Sequence, residues 1–438
     1  MRLTWLRRED VILVLALALR LGWVSYGWVT SGPELHYDDE KLHWQLATHL
    51  AREGNLVTDD GRHAARMPLY PALLAPCALL GEYGILAARL VQAGLGTLTA
   101  VLAFRFALGA VGRQGAWLAG VLVAVDPFAI FFTNLLLTET LFTLLLMATV
   151  AYAWRAATRP DEPGGFIGLA VLGAASLLTR PSVVLLLPLL WLTVGLLSRY
   201  RRLAFARLAL CPIVLAAALL PWGVRNRVVL GTGAWLSTNG GVTLYDAQGP
   251  QADGSSNQRF LVDNPAFAGL DEVALDRMLS RRAWECMRAD PARVLRLALV
   301  KLRRTWSPTP NVAEYRTGAA AWAGALYTLV VLAGAVGAVL RVVLASRLTL
   351  ATGRPRPARG THAGSTASAA EAGPVGSGAW LVLLWLPVLY FTLLHCVFIG
   401  SVRYRVPLLP LLALAAAAIF VRSRDSALTG DRGSVLAH

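Results

Sequence analysis

The stretch VILVLALALRLGWVSYGWVT, residues 11–30, precedes the polar run HYDDE, residues 36–40. About 20 mostly apolar residues are the length that a helix needs to cross the hydrocarbon core of a bilayer. Further stretches of this kind follow along the 438-residue chain, at 84–110, 114–133, 136–155, 164–179, 181–198, 204–222, 318–345, 379–400 and 405–421. The pattern predicts an all-α polytopic membrane protein with about ten transmembrane helices.

The composition supports a membrane location and excludes several other classes of protein. Hydrophobic residues make up 56% of the chain and charged residues 15%, whereas a soluble domain carries about 25% charged residues. An ordinary soluble enzyme, a disordered protein and a disulfide-stapled secreted domain are therefore excluded. The net charge is +15, but the arginines mostly flank apolar stretches. This placement indicates contact with anionic membrane lipids and argues against binding of nucleic acid.

The orientation follows from the basic segments between the apolar stretches, which are expected on the cytoplasmic side. Both termini then lie inside, and the long polar segments 31–67 and 223–317 lie outside. The apolar piece 68–81 would reach only about 21 Å as a helix, too short to span, so it is predicted to be a juxtamembrane helix. The predicted divisions are an N-terminal transmembrane module 1–222, an outer segment 223–317, C-terminal transmembrane helices 318–421 with a flexible cytoplasmic linker 346–378, and a cytoplasmic tail 422–438.

The outer segment is predicted to contain two helices, 271–288 and 291–305. The pair Asp290-Pro291 is a start signal for the second helix. That helix has leucines on one side and arginines on the other, which suits a helix lying at the membrane surface. A solvated basic face on a small outer domain is the alternative.

Three consecutive carboxyl groups follow the first span, at Asp38, Asp39 and Glu40. Crowded negative charges raise the pKa of at least one carboxyl group unless cations are near, and such a group is a candidate general base. The alternative is a helix N-terminus, where acidic residues complement the helix dipole. His36, Asp39 and His43 share the spacing of one helical face, which by itself is a weak metal signal.

Two further charged positions lie at the edges of apolar stretches. Arg66 ends the first outer loop, where its guanidinium group suits a phosphate or serves as an interfacial anchor. Glu139 is a carboxylate at the outer start of a span and needs a partner. The pair Asp126-Pro127 is interpreted as a local kink and cap.

Several arginines lie at span ends that the predicted topology places on the outer face. They are Arg180, Arg225, Arg227, Arg403 and Arg405. Two or three of them converging would form an anion site for a lipid phosphate. Individually, each of them would be an anchor for lipid head groups.

The order of short motifs along the chain resembles that of bacterial membrane glycosyltransferases of the GT-C class. The nearest branch contains the dolichyl-phosphate-mannose–protein mannosyltransferase-like enzymes and the aminoarabinose transferase of lipid A. The motifs are Asp38-Asp39-Glu40 with Leu46-Ala47, Arg66-Met67-Pro68-Leu69-Tyr70-Pro71, Leu137-Thr138-Glu139-Thr140, Leu178-Thr179-Arg180-Pro181, Arg225-Asn226 and Arg403-Tyr404-Arg405-Val406-Pro407. The resemblance runs over nearly the whole chain.

The resemblance implies a GT-C-like helix bundle with catalysis in the module 1–222. Such enzymes take a sugar from a polyprenyl-phosphate carrier on the outer face of the bacterial inner membrane. They transfer it with inversion to a glycan, lipid or protein acceptor. By the same resemblance Asp39, or alternatively Asp38, is the general base, Glu139 is the second acidic residue, and Arg66 binds the donor phosphate. Participation of a divalent cation, Mg²⁺ or Mn²⁺, stays open.

The remaining site predictions extend this scheme. Arg180, Arg225, Arg403 and Arg405 are predicted to bind the donor phosphate. Substrate contacts are predicted for Glu40, His43, Tyr70 and Tyr404. The competing hypotheses are a non-enzymatic flippase or transporter, and a ligase or polymerase that uses a pyrophosphate-linked donor. Because the carboxylates gather at one interface and the sequence shows no internal repeat, an enzyme is favoured over a transporter.

Overall fold

The protein is described by a computed structural model, which covers residues 8–263, 267, 269–311, 318–351 and 378–420. Within these ranges all regular secondary structure is helical. The predicted all-α polytopic membrane fold is confirmed. The first seven residues, most of the predicted linker 346–378 and the predicted tail 422–438 lie outside the described residues.

Eighteen α-helices are distinguished within the described ranges. The first nine are α1 Arg8–Ser31, α2 Asp38–Glu53, α3 Leu69–Ala78, α4 Gly84–Ala110, α5 Gly112–Ala124, α6 Pro127–Phe132, α7 Glu139–Thr158, α8 Pro163–Thr179 and α9 Leu186–Leu197. The next nine are α10 Arg201–Leu208, α11 Leu210–Leu230, α12 Gly240–Gln248, α13 Phe260–Asp263, α14 Glu272–Ala289, α15 Pro291–Thr305, α16 Ala319–Ala351, α17 Ala379–Val397 and α18 Leu409–Ala417.

Six helical stretches of the described chain are long and apolar enough to cross a membrane. They are Glu9–Ser31, Gly81–Ala110, Glu139–Thr158, Arg201–Leu230, Ala319–Leu344 and Ala379–Val397. Shorter apolar helices occur at Leu69–Ala78, Pro163–Thr179 and Pro181–Leu197. The count of ten spans stays a prediction, because several predicted spans are shorter than a full crossing or are interrupted.

The predicted span 114–133 is interrupted in the structure. Helix α5 ends at Ala124 and α6 begins at Pro127. Proline is tolerated in the first turn because its missing N–H has no helical partner there. The Asp126 carboxylate accepts the amides of Phe128 and Ala129 at 2.9 and 3.2 Å, so it caps α6 as the sequence predicts.

The predicted span 405–421 also differs from a continuous α-helix. A 3₁₀ helix covers Val402–Leu408, and α18 follows it. Pro407 and Pro410 lack the N–H groups that a regular α-helix uses at these positions, and 3₁₀ turns are common at such helix starts. Leu409 and Leu412 of α18 are fully buried in the main hydrophobic core, which also includes Phe142 of α7.

The two helices predicted in the outer segment are confirmed as α14 and α15. The Asp271 carboxylate caps α14 by accepting the amides of Val273 and Ala274, and Asp290 caps α15. Helix α15 packs against the end of α17, where the Lys301 ammonium group donates to the carbonyl of Val397 at 2.8 Å. The outer segment is thus fixed to the transmembrane part of the chain.

The predicted juxtamembrane piece 68–81 forms α3, a helix of ten residues. It packs against α2 and α4. Tyr70, Leu74 and Ala47 share a small buried cluster there.

Candidate active site

Asp39 is the second residue of α2, and both of its carboxylate oxygens are bound by arginines. Its Oδ1 accepts from Nη2 of Arg66 at 2.7 Å, and its Oδ2 accepts from Nη1 of Arg403 at 2.7 Å. Burial alone would raise the pKa of Asp39, but the charges of Arg403 and Arg66 outweigh burial, so the pKa lies well below its usual value. Asp39 is therefore ionised and held in place.

Glu139 is the first residue of α7 and is fully buried. Its Oε1 accepts from Nη2 of Arg180 at 2.6 Å and also from Nε of Arg403. Arg180 is oriented by a 2.6 Å hydrogen bond from its Nε to the Thr138 hydroxyl and by the face of the Phe142 ring. Among the residues that the structure describes, none forms a hydrogen bond with the Oε2 atom of Glu139.

Arg403 joins the two acidic residues, since its guanidinium group donates to both Asp39 and Glu139. We call Asp39, Arg66, Glu139, Arg180 and Arg403 the carboxylate–arginine cluster. Three guanidinium groups face two carboxylates, which leaves one surplus positive charge. An excess of guanidinium donors in a half-buried position is the kind of site that binds phosphate.

A cleft of about 530 Å³ opens beside the cluster, between α2, the end of the first outer loop and the outer segment. Its lining combines charged, polar and apolar side chains: Asp38, Asp39, Lys41, Leu42, Gln45, Asp60, Arg62, Arg66, Thr238, Asn239, Val242, Gln258, Leu261, Phe267, Leu270, Glu272 and Leu275. Asp39 and Arg66 therefore face the cleft. Glu139 is fully buried and does not line the cleft.

Asp38 and Asp39 are adjacent in the sequence but have different surroundings. The Asp38 side chain is fully exposed and pairs with Lys41 at 3.6 Å. Asp39 pairs with two arginines and is about one-third exposed. The geometry therefore places Asp39, and not Asp38, in the carboxylate–arginine cluster.

Two residues hold the loop that carries Arg66: Glu272 of the outer segment and Arg225 of α11. The Glu272 carboxylate accepts the backbone amides of His63 and Ala64, the first of them at 2.7 Å. Arg225 donates to the carbonyls of Leu56 and His63. Sequence reasoning missed Glu272, whose only signal was its place at the start of a predicted helix.

Arg225 and Arg405 were predicted to bind phosphate with the other arginines, but the structure places both outside the cluster. Arg225 holds the first outer loop, as described above. Arg405 is fully buried, donates to the carbonyl of Ser307 and to the Thr328 hydroxyl, and lies over the ring of Phe128. Residues two apart in a 3₁₀ helix point to different sides, so Arg403 and Arg405 face different partners.

Glu40 was predicted to contact substrate, but the structure gives it another role. It is fully buried, and its Oε2 accepts the amides of His36 and Tyr37 at 3.1 Å. Its Oε1 accepts the amide of Leu136 at 2.8 Å. Glu40 thus caps α2 and ties it to the segment before Glu139, and it has no oxygen facing the cleft.

The aromatic residues predicted to contact substrate do not line the cleft. The buried His43 ring meets the Tyr70 ring edge-on, with centroids 5.0 Å apart. Tyr70 is fully buried and donates to Gln92 at 3.0 Å. The Tyr404 ring stacks on His395 at 4.1 Å. Burial lowers the pKa of His43 to about 3, so its imidazole is neutral at pH 7.

The described residues contain no group of three or more His, Cys, Asp or Glu side chains arranged as metal ligands. Instead, a guanidinium group lies between the Asp39 and Glu139 carboxylates. His36, the third member of the weak metal pattern, pairs with Glu34 at 4.0 Å.

Comparison with solved structures shows which fold this chain shares. The archaeal oligosaccharyltransferase AglB from Archaeoglobus fulgidus, solved with an inhibitory peptide and a dolichol-phosphate, matches 94% of this chain with a TM-score of 0.55 and 12% identity. The chain spans 50% of the length of AglB. The chain has the fold of AglB, and the resemblance to GT-C glycosyltransferases that its sequence indicates is confirmed.

The sequence comparison is more specific over part of the chain. Residues 46–223 match the model of the Alg9-like mannosyltransferase family. ArnT from Cupriavidus metallidurans was solved in its apo state and bound to undecaprenyl phosphate. Each of these two structures matches 94% of this chain and 77% of the ArnT chain, with a TM-score of 0.42. The sequence identity is 15% for the apo structure and 16% for the bound structure. No curated protein sequence matches the chain.

Proposed function

We propose that the protein is an inverting glycosyltransferase that moves a sugar from a polyprenyl-phosphate donor to an acceptor. The observation that carries this proposal is the carboxylate–arginine cluster beside a cleft. It combines a carboxylate that can accept a proton with guanidinium groups that can hold a phosphate. These are the two groups that sugar transfer from a lipid phosphate requires.

The charge of the cluster suits a donor with a single phosphate. A sugar joined to a lipid through one phosphodiester carries one negative charge, and the cluster has one surplus positive charge. AglB, which shares the fold, was solved with a dolichol-phosphate, and this agrees with a lipid phosphate as the ligand.

The reaction follows from the placement of these groups. A hydroxyl oxygen of the acceptor attacks the anomeric carbon and forms the new glycosidic bond, while its proton passes to the carboxylate of Asp39. The bond between the anomeric carbon and the phosphate oxygen breaks, and its electron pair stays on the phosphate. Arg66 and Arg403 stabilise the charge that develops there. A single displacement inverts the anomeric configuration.

Glu139 and Arg180 position Arg403 without contacting the reacting groups themselves. Glu139 fixes Arg403 through its Oε1 atom, and Arg180 compensates the charge of Glu139. An acceptor, which is a glycan, a lipid or a protein, enters through the 530 Å³ cleft. The polar and apolar side chains of its lining suit a sugar-like group, which has both hydroxyl groups and apolar faces.

The same proposal includes the location of the site. The basic segments 155–159 and 199–207 are short and flank spans, which is typical of cytoplasmic loops. The first outer loop and the outer segment, which form the cleft, then face the extracytoplasmic side of a bacterial inner membrane. Nucleotide-linked sugars are cytoplasmic, so a donor on the outer face must be carried by a lipid.

The decisive experiment uses purified protein in detergent with a radiolabelled polyprenyl-phosphate sugar and a mixture of membrane acceptors. We expect transfer of label, and we expect Asp39→Asn to reduce it at least about 100-fold, the scale of a lost general base. Asp38→Asn is the matched control, because its exposed carboxylate pairs with Lys41 instead of the arginines. Full activity in Asp39→Asn would refute the assignment of the base.

A further inference from the structure

The arginines proposed to bind the donor phosphate are already occupied in the ligand-free protein. Arg66 and Arg403 each donate to one oxygen of Asp39 at 2.7 Å. A phosphate that approached these two guanidinium groups on the side of Asp39 would compete with the carboxylate for their N–H donors. The Asp39 carboxylate therefore occupies an anion site between the two guanidinium groups.

We infer that the donor phosphate and the Asp39 carboxylate exchange for the guanidinium groups of Arg66 and Arg403, so that Asp39 becomes an effective base only after the donor has bound. This inference rests on the proposed function, since it assumes that the phosphate binds at these arginines. It adds a binding order to that function: donor first, acceptor activation second.

The contacts of Asp39 explain why the ligand-free state is inactive as a base. Both oxygens accept charge-assisted hydrogen bonds, which stabilise the ionised form and make it a poor proton acceptor. The charged and titratable groups that face Asp39 are Arg66 from the first loop, Arg403 and Tyr404 from the 3₁₀ helix, and His43 from α2. Because His43 is neutral, the two arginines dominate.

The ion pairs of Asp39 are more exposed to solvent than the ion pair between Glu139 and Arg180. The side chains of Arg66 and Arg403 are 22% and 25% exposed, and Asp39 is 34% exposed. The Glu139 side chain is 0% exposed, and its partner Arg180 is 14% exposed. The Asp39 pairs are therefore more accessible to a phosphate than the Glu139–Arg180 pair, and Glu139 keeps Arg403 anchored through its Nε.

A phosphate competes well for these donors. The phosphodiester of the donor presents two non-bridging oxygens, which can form parallel paired hydrogen bonds with a guanidinium group. When Arg66 and Arg403 turn to the phosphate, Asp39 loses two stabilising bonds and its proton affinity rises. The nearby phosphate charge raises it further, at the moment when the acceptor hydroxyl must be deprotonated.

The test measures binding, without turnover. Purified protein in detergent micelles is titrated with undecaprenyl phosphate, and the affinity of the wild type is compared with that of Asp39→Asn. Removing the competing carboxylate leaves both arginines free for the phosphate, so we expect affinity to rise about 5-fold, the change for a free-energy gain of about 1 kcal/mol. Thermal unfolding of each variant verifies that it is folded.

Asp38→Asn is the matched control for this titration. It removes the same charge from the adjacent residue, but Asp38 is fully exposed and pairs with Lys41 instead of the arginines. We expect its affinity to stay within about twofold of the wild type, because exposed charges are screened by salt.

The outcomes separate the two proposals. Equal gains in Asp38→Asn and Asp39→Asn would reveal a general charge effect and overturn the exchange. Unchanged or weaker binding in Asp39→Asn would overturn the exchange alone and leave the phosphate site standing. Failure of the wild type and all variants to bind undecaprenyl phosphate would overturn the proposed donor site, and the exchange with it.

Discussion

The Nη1 atom of Arg403 donates to Oδ2 of Asp39 at 2.7 Å, although the two residues lie 364 positions apart in the chain. Nε of Arg403 donates at the same time to Glu139. The C-terminal transmembrane part therefore contributes directly to the site. The sequence prediction assigned catalysis to the module 1–222 and counted Arg403 among the phosphate-binding arginines, and the structure brings Arg403 into contact with Asp39 and Glu139 of that module.

Replacement of Arg403 by alanine should remove the bridge between the two carboxylates. Asp39 and Glu139 would then each keep only one arginine partner, Arg66 and Arg180 respectively. We expect transfer of sugar to fall at least about 100-fold, the scale seen when one charge-stabilising donor is lost. Initial rates with a labelled polyprenyl-phosphate sugar measure this effect.

Arg403→Lys is the informative companion of that variant. Lysine keeps the charge but offers no planar pair of donors, so it cannot contact both carboxylates as a guanidinium group does. We expect an intermediate loss of activity with near-wild-type thermal stability. Wild-type rates in Arg403→Ala would contradict the assignment of Arg403 to the site.

Glu40→Gln should destabilise the protein without removing a charge from the cleft. The amide nitrogen of glutamine cannot accept from the backbone amides of Tyr37 or Leu136, which both donate to Glu40. Leaving a buried donor unsatisfied costs about 1–3 kcal/mol. We expect a lower melting temperature in detergent. Glu34→Gln is the control, since that side chain is 68% exposed, and an equal shift in both variants would contradict the role of Glu40.

Gly400→Ala should disturb the segment that leads into Arg403. A Cβ atom at Gly400 would lie 2.5 Å from the Lys301 carbonyl oxygen and 2.6 Å from its Cα atom, and backbone atoms cannot move aside easily. We expect reduced thermal stability and a higher KM for the donor. Gly337→Ala on α16 is the control, because nothing lies within 4 Å of its added Cβ. Equal behaviour of the two variants would argue against a tight contact at Gly400.

His43 should make the protein sensitive to acid. Its pKa is about 3 in the folded state because of burial, against an unperturbed value of about 6.5. The unfolded state therefore binds a proton below about pH 6.5 while the folded state does not, so stability falls as the pH drops from about 6.5 towards 3. One such proton contributes a slope of about 1.4 kcal/mol per pH unit.

The measurement for His43 compares melting temperatures in detergent at several pH values between neutral and mildly acidic. His43→Gln should lose stability at neutral pH through poorer packing against Tyr70, but its melting temperature should fall less on acidification. His36→Gln serves as the control, since the His36 side chain is 43% exposed. Identical pH slopes in the wild type and His43→Gln would rule out this titration.

The sequence predicts those parts of the fold that depend on local signals. Asp290 before Pro291 is a capping signal, and α15 begins and ends where it was predicted. Asp39, Arg66 and Glu139 are charges near the edges of apolar stretches, where charges need partners. The structure brings all three into contact with arginines or carboxylates. Their roles in catalysis stay predictions.

Other features depend on the side of a helix to which a side chain points, and the residue type does not reveal this. Arg403 and Arg405 look equivalent in the sequence, but the 3₁₀ conformation turns them to different sides. Glu40 looked like a third member of an acidic site, whereas three backbone amides bind it in the interior. Arg225 satisfies carbonyl groups of the first outer loop, a partner that no motif identifies.

The contact of Glu272 with the amides of His63 and Ala64 makes the first outer loop and α14 one mechanical unit. Arg66 lies two residues beyond Ala64, so a shift of α14 would be transmitted to the guanidinium group that holds Asp39. A ligand that pushes the outer segment away from the bundle would therefore change the width of the entrance and the pairing of the base together. One displacement of the outer segment would then both admit a substrate to the cleft and change the hydrogen bonds that hold Asp39.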